Sequence, residues 1–184
     1  VLVISGADCV GKTTFARECV ELLQDEYGLP YMYAHLDRPP ACFDSCGGYV
    51  SRMVRSSVWD RFALDSLAYR ELDDYECSMT PEKWDVVQAH FALAGGFQVV
   101  LYADDEVIRE RHAARADAEI YDAELTLRHN AAFKSMCIGG TASCRGDRYP
   151  VKIDAHGDPS GGILAIFPAV VCGEYVKRHE KFIE

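Results

Sequence analysis

Short apolar runs rich in β-branched residues alternate along the chain with longer stretches in which apolar positions recur every three to four residues. The first pattern suits strands buried on both faces and the second suits amphipathic helices. Together they predict an α/β fold, a three-layer α/β/α arrangement around a parallel sheet of about five strands. Residues 1–5 read as the first strand, and Phe15, Cys19, Val20, Leu22 and Leu23 follow on a helical period within 12–24, ending at Gly28-Leu29-Pro30. A second strand is expected over 31–36, then a loop with two prolines over 38–44. Phe43, Tyr49, Met53 and Val54 suggest a short helix despite Gly47 and Gly48. A brief third strand at 56–59 precedes helices over 64–69 and 82–93. The second of these opens at Thr80-Pro81, a cap and a first-turn proline, and closes at Gly95-Gly96. Residues 97–102 predict the next buried strand. Asp104 reads as the cap of a charged helix reaching about Arg115, and another helix is expected over 122–136. A connector over 139–146, a last strand over 151–155 and closing helices from Ser160, broken at Pro168, complete the pattern. No repeat, low-complexity tract or linker divides 1–184, so one domain is expected.

Composition narrows the function classes. With 184 residues, 49% hydrophobic and 26% charged, the chain can bury a full core, which excludes a disordered tail or a small disulfide scaffold. Nineteen Lys and Arg against 29 Asp and Glu give a net charge of −10, so a polyanionic partner would need a local basic cleft. The eight cysteines form no CxxC pair, which predicts reduced thiols and a cytoplasmic protein, in host cytoplasm if the source is viral. The apolar start lasts four residues with no basic stretch ahead of it, so no secretion signal is expected. The longest later apolar stretch, 163–172, contains Pro168 and falls short of the ~20 residues of a membrane span. No membrane partner is expected. The six histidines make no zinc spacing with cysteine or with each other.

Gly6-Ala7-Asp8-Cys9-Val10-Gly11-Lys12-Thr13 fits G-x-x-x-x-G-K-[ST] at every fixed position, between a predicted strand and a predicted helix. In such a P-loop, glycines let backbone N–H groups turn inward around a β-phosphate, and the helix N-terminus adds partial positive charge. Lys12 would reach the β- and γ-phosphates and Thr13 would hold Mg²⁺, with Thr14 a further polar residue at the helix start. The motif predicts ATP and Mg²⁺ as cofactors. No NKxD-like guanine reader is present, and a short chain with a P-loop favours a nucleotide or metabolite kinase.

A second motif, Trp59-Asp60-Arg61-Phe62-Ala63-Leu64-Asp65-Ser66-Leu67-Ala68-Tyr69, begins at a predicted strand end, where α/β folds place their ligands. With the P-loop, it resembles the thymidylate kinases and related phage deoxynucleotide kinases, whose motif is D-R-[aromatic or His]-x-x-S-x-x-A-Y. Asp60, Arg61, Ala68 and Tyr69 fall in register. The resemblance implies that Arg61 grips the acceptor phosphate, that Asp60 works near Mg²⁺ or the acceptor oxygen, and that Asp8 meets the acceptor sugar. Tyr69 and Arg38, the latter from an echo of the family's acceptor loop in Asp37-Arg38-Pro39, join the substrate set. Cys9 stands where some members supply a catalytic arginine. Arg109, Arg111 and Arg115, with His112, follow the fourth strand where the family places a basic lid, here expected at about 105–120.

The sequence also departs from the family. Only 49 positions separate Gly11 from Asp60, the E-P-G-G sequence is absent, and Asp65 replaces the usual serine. The shortened middle is closer to phage kinases, some of which phosphorylate 5-hydroxymethyluracil within DNA. The leading expectation is ATP-dependent phosphoryl transfer to a pyrimidine deoxynucleoside monophosphate such as dTMP. A hydroxymethyl group in DNA is the alternative acceptor, and it would need a general base. A P-loop switch without kinase activity is the third reading, and a homodimer stays open. Tyr31, Tyr33, His35, Phe43, Tyr49 and Trp59 are candidates for stacking a base, although core or cleft wall is the commoner role of such residues.

Overall fold

The structure is a computed structural model describing residues 1–36, 45–53, 56–73, 79–94, 96–115, 122–136 and 151–154. Among these the order is β1 (Leu2–Gly6), α1 (Lys12–Asp25), β2 (Met32–His35), α2 (Ser45–Ser51), β3 (Ser57–Asp60), α3 (Ala63–Asp73), α4 (Pro81–Leu93), β4 (Phe97–Tyr102), α5 (Asp105–Ala114), α6 (Ala123–Met136) and β5 (Val151–Asp154). Every element expected within these residues forms, with shifts only at the ends. The 38–44 loop, the 139–146 connector and the closing helices from Ser160 lie outside the described residues, as do Arg38, Phe43, Val54, Gly95 and positions 116–120 of the expected lid.

The sheet has five parallel strands in the order β2-β3-β1-β4-β5. Register pairs Ile4 with Asp60 and Asp60 with His35. Because side chains alternate along a strand, Leu2, Ile4, Val58, Asp60, Tyr33 and His35 share one face, and Val3, Ser5, Ser57 and Trp59 share the other. The first face meets α1, whose Thr13 bonds Asp60. The second meets the start of α3, where Phe62 packs near Trp59 and Asp65 bonds Ser5. Helices therefore cover both faces, as the run-and-period pattern predicts.

This order also locates the cleft. From β1 the chain crosses to β2 on one side, whereas from β3 it crosses to β4 on the other, so the crevice at the carboxyl ends of β1 and β3 is the switch point where α/β folds bind ligands. The apolar cluster beneath it runs from Val3 and Ile4 through Val99, Val100 and Leu101. On the α3 side, α4 is capped by the Thr80 hydroxyl and buries Trp84, Val87 and Phe91. Burial of Val87 and Phe91 stabilises by about 1.5–3 kcal/mol each. At the other end, the Asn130 side chain holds both backbone groups of Ala103, at 3.2 and 2.8 Å, which ties α6 to the end of β4. Asp122 accepts from the Leu125 amide at 2.7 Å and starts that helix. Asp104 takes the expected N-cap place before α5 without making the side-chain capping bond. Among the described residues no helix is long and apolar enough to cross a membrane.

Candidate active site at the carboxyl ends of β1 and β3

The loop from Gly6 to Thr13 leaves β1 through backbone conformations that dictate its glycines. Gly6 has φ +151°, and a Cβ there would lie 2.5 Å from the Leu101 carbonyl oxygen; Gly11, at φ +94°, takes the N-cap place of α1. Cys9 is also left-handed, at φ +62°, a costly conformation for a residue with a side chain and a common one at ligand-binding turns. Ala7, Cys9 and Val10 are buried, while Thr13 and Thr14 are exposed on the first turn of α1. Lys12 is buried; its ammonium donates to the Ala7 carbonyl and pairs with Asp8 at 3.3 Å. Burial pushes the Lys12 pKa down, against the pull of Asp8.

The end of β3 comes up beside this loop. Asp60 is fully buried, and its Oδ2 accepts from Thr13 Oγ1 at 2.6 Å and Tyr33 Oη at 3.1 Å, with His35 Nδ1 at 2.9 Å. Burial pushes this carboxyl's pKa up, but the bonds from Thr13 and His35 and the charge of Lys12 outweigh it and hold the group below its ordinary value. Asp60 is therefore a fixed anion beside the Thr13 hydroxyl. Its other oxygen, Oδ1, is buried without a hydrogen-bond partner. A hydroxyl and a carboxylate together, with one carboxylate oxygen unsatisfied, suit Mg²⁺, which takes few protein oxygens and fills its shell from water and phosphate. Among the described residues, no three His, Cys, Asp or Glu side chains stand together as a metal site.

Arg61 follows in a left-handed conformation, φ +72°, with its amide bonded to the Ile4 carbonyl at 2.9 Å. Its Nη2 pairs with Asp8 Oδ1 at 2.5 Å, and its Nε is buried without a hydrogen-bond partner. Burial works against the Arg61 charge, but Asp8 above all, then Tyr69, Asp65 and Asp60, raise its pKa. Asp8 sits between Lys12 and Arg61. Burial pushes its carboxyl up, and those two cations with Arg115 more than offset this and hold it low. Tyr69 is buried on α3, with its ring edge against His129 and its hydroxyl 3.5 Å from the Gly6 carbonyl, so it braces the loop from below.

The arginines that follow β4 separate. Arg111 donates to the Cys9 carbonyl at 3.2 Å, and its Nη1 is the atom a Cβ at Gly11 would meet, at 3.7 Å. Arg109 is exposed and pairs with Glu124 on α6 at 2.5 Å. Arg115 is exposed at the end of α5, and its charge acts on Asp8. Of the residues singled out for this chemistry, the structure thus gathers Gly6 to Thr13, Asp60, Arg61, Tyr69 and Arg111; Arg38 lies outside the described residues.

Among solved structures, the chain is similar to the Bacillus subtilis YorR protein in complex with phosphorylated GDP, with a TM-score of 0.72 and 16% identity over 95% of this chain and 97% of that one. The fold is a P-loop kinase fold. A second solved structure, the deoxyadenosine kinase of M. mycoides with bound dATP, matches with a TM-score of 0.50 and 15% identity over 92% of this chain and 98% of that one. No family model and no curated protein matches the sequence, so the likeness to thymidylate kinases rests on the two motifs.

Three contributors to this candidate site were not legible as such. Tyr33 and His35 stood out as stacking candidates but bond Asp60; their i, i+2 spacing on a strand beside β3 is the signal that could have placed them. Tyr31, Tyr49 and Trp59 are core. Asp65, read as a departure from a family motif, is buried beneath the loop.

Proposed function

We propose that the chain is an ATP- and Mg²⁺-dependent phosphotransferase that passes the γ-phosphoryl group to the phosphate of a pyrimidine deoxynucleoside monophosphate such as dTMP. The observation that carries this reading is the meeting, at one sheet edge, of a complete P-loop, a Thr13–Asp60 pair and an arginine held by Asp8. The two similar structures hold phosphorylated GDP and dATP, which supports a nucleotide at this edge. The pyrimidine rests on the likeness of the Asp60-Arg61-Phe62 and Ala68-Tyr69 positions to thymidylate kinases.

The residues divide the work. Backbone amides of 6–13, with Lys12, would bind the donor phosphates, and Thr13 and Asp60 would hold Mg²⁺. A Mg²⁺ ion held there would supply positive charge against the charge that spreads over the phosphates during transfer. Arg61 orients the acceptor phosphate: Nε is a donor without a hydrogen-bond partner, and an arginine fork suits paired phosphate oxygens. Arg111 supplies positive charge beside the loop at Cys9, where some family members carry a catalytic arginine, and Arg115 adds to it. Arg109 is the weakest member of the group because Glu124 engages it. We place the lid at about 105–120 of a single kinase domain. Catalysis is positioning and electrostatic stabilisation.

The carboxylates favour a phosphate acceptor over a hydroxyl. A hydroxyl needs a base with room to reach it, whereas an acceptor phosphate is already anionic. Asp60 is fully buried with one oxygen held by three groups, and Asp8 is paired with two cations. The test offers γ-labelled ATP and Mg²⁺ with dTMP, dUMP, dCMP, deoxynucleosides and hydroxymethyluracil-containing DNA, and resolves the products. Label is expected in a nucleoside diphosphate. Label in DNA or in a nucleoside monophosphate overturns the acceptor assignment, and absence of acceptor-dependent transfer supports the switch reading.

A further inference from the structure

We infer that Asp65 is a positioning residue that locks the donor loop and the acceptor arginine into one unit. This rests on the phosphate-to-phosphate reading of the site. The side chain is 3% exposed and lies on the first turn of α3, three residues after Phe62. Its Oδ2 accepts from the Phe62 amide at 2.9 Å, the reach-back bond that an acidic residue at the third helical position makes to the N-cap amide. A helix cap would need nothing more. The same carboxyl also crosses to β1: Oδ2 accepts from Ser5 Oγ at 2.7 Å and Oδ1 from the Gly6 amide at 3.3 Å.

Those partners stand at two places that phosphoryl transfer must hold in register. Gly6 is the first residue of the P-loop, and the Phe62 amide directly follows Arg61. Arg61 carries an unfavourable left-handed backbone, of the kind that persists only where surrounding bonds over-determine it. Its own amide is bound by the Ile4 carbonyl and the next by Asp65, so β1 fixes the Arg61 peptide directly on one side and through Asp65 on the other. A serine here is too short to span all three partners, whereas a carboxylate offers two oxygens and several lone pairs. A burial penalty on an acidic side chain is tolerated where three donors meet it.

The test is a double-mutant cycle of Asp65→Asn with Arg61→Ala, read as inorganic tripolyphosphate affinity by calorimetry and as acceptor kcat/KM, with thermal unfolding to confirm folding. Asparagine keeps the size and loses one acceptor oxygen. If Asp65 acts through Arg61, Asp65→Asn lowers affinity and kcat/KM by about tenfold in the wild-type background and by less than about twofold once Arg61 is alanine. Equal losses in both backgrounds, or no loss in the first, overturn the proposal. If Asp65→Asn does not fold, Ser5→Ala removes one of the three bonds. A loss of about threefold that disappears with Arg61→Ala is then expected, and a loss that persists counts against the coupling. A wild-type protein that binds tripolyphosphate, shows the coupling and transfers no phosphoryl group would leave Asp65 in place and overturn the kinase reading alone. Failure to bind tripolyphosphate overturns both.

Discussion

The β1–β3 edge and the α5 arm both bring cations toward the P-loop, and they hold them in opposite ways. At the edge, Lys12 and Arg61 share the Asp8 carboxylate and Asp60 gathers three partners. Along α5, Arg109 and Arg111 are exposed; Arg111 bonds the loop at the Cys9 carbonyl, and Arg109 pairs with Glu124. The difference is one of preorganisation. Groups fixed by strands and paired under cover are aimed before a ligand arrives, whereas exposed arginines, each held by one surface contact, are less fixed and lose more rotamer freedom on binding.

Single substitutions should separate the two regions. Lys12→Ala is expected to cost the most, about 1,000-fold or more in kcat, with unfolding still cooperative because Asp8 keeps Arg61 as a partner. Near-normal turnover in that variant would remove the loop from the chemistry. Asp60→Asn should raise the Mg²⁺ concentration for half-maximal rate by about 10- to 100-fold, and an unchanged Mg²⁺ titration would show that Asp60 serves the fold alone. On α5, Arg111→Ala is expected to lower kcat by about tenfold, in line with losing one charged hydrogen bond. Arg109→Ala should change it by less than about twofold, because an exposed ion pair contributes little. Equal losses at the two positions would erase the distinction drawn along this helix.

The smallest effect concerns acid stability. Asp8 is held below its ordinary value of 3.8, so its contribution to stability is fully present above that pH and is lost as pH falls through the lower folded value. Asp8→Asn should flatten the fall in Tm below about pH 4, measured by thermal unfolding across the acid range. An acid limb identical to that of the wild type would mean that the carboxylate pairing carries no stability.

The two regions also differ in how far the sequence revealed them. Strand and helix identities followed from hydrophobic period, and the P-loop followed from fixed glycine, lysine and threonine positions that backbone geometry demands. Asp60 and Arg61 fall at a strand end that the sequence pattern alone predicts. Partners brought together only by register were harder to read: Tyr33 and His35 reach Asp60 because β2 pairs with β3, and local spacing does not specify which strands are neighbours. Asp65 was visible only as an unexpected acid, since its contact with Ser5 spans 60 positions. Within the RERHAAR stretch, the choice of Arg111 depends on where α5 sits against the loop, and its exposed charges give no sequence signal for that.

The claim that Arg61 holds an acceptor phosphate is tested most directly by kcat/KM for dTMP and for thymidine, each measured with wild type and Arg61→Ala. The wild type is expected to prefer dTMP by at least about 100-fold, and Arg61→Ala to lose most of that preference by losing activity toward dTMP. Thymidine used as well as dTMP by the wild type, or equal losses toward both acceptors in Arg61→Ala, would contradict it.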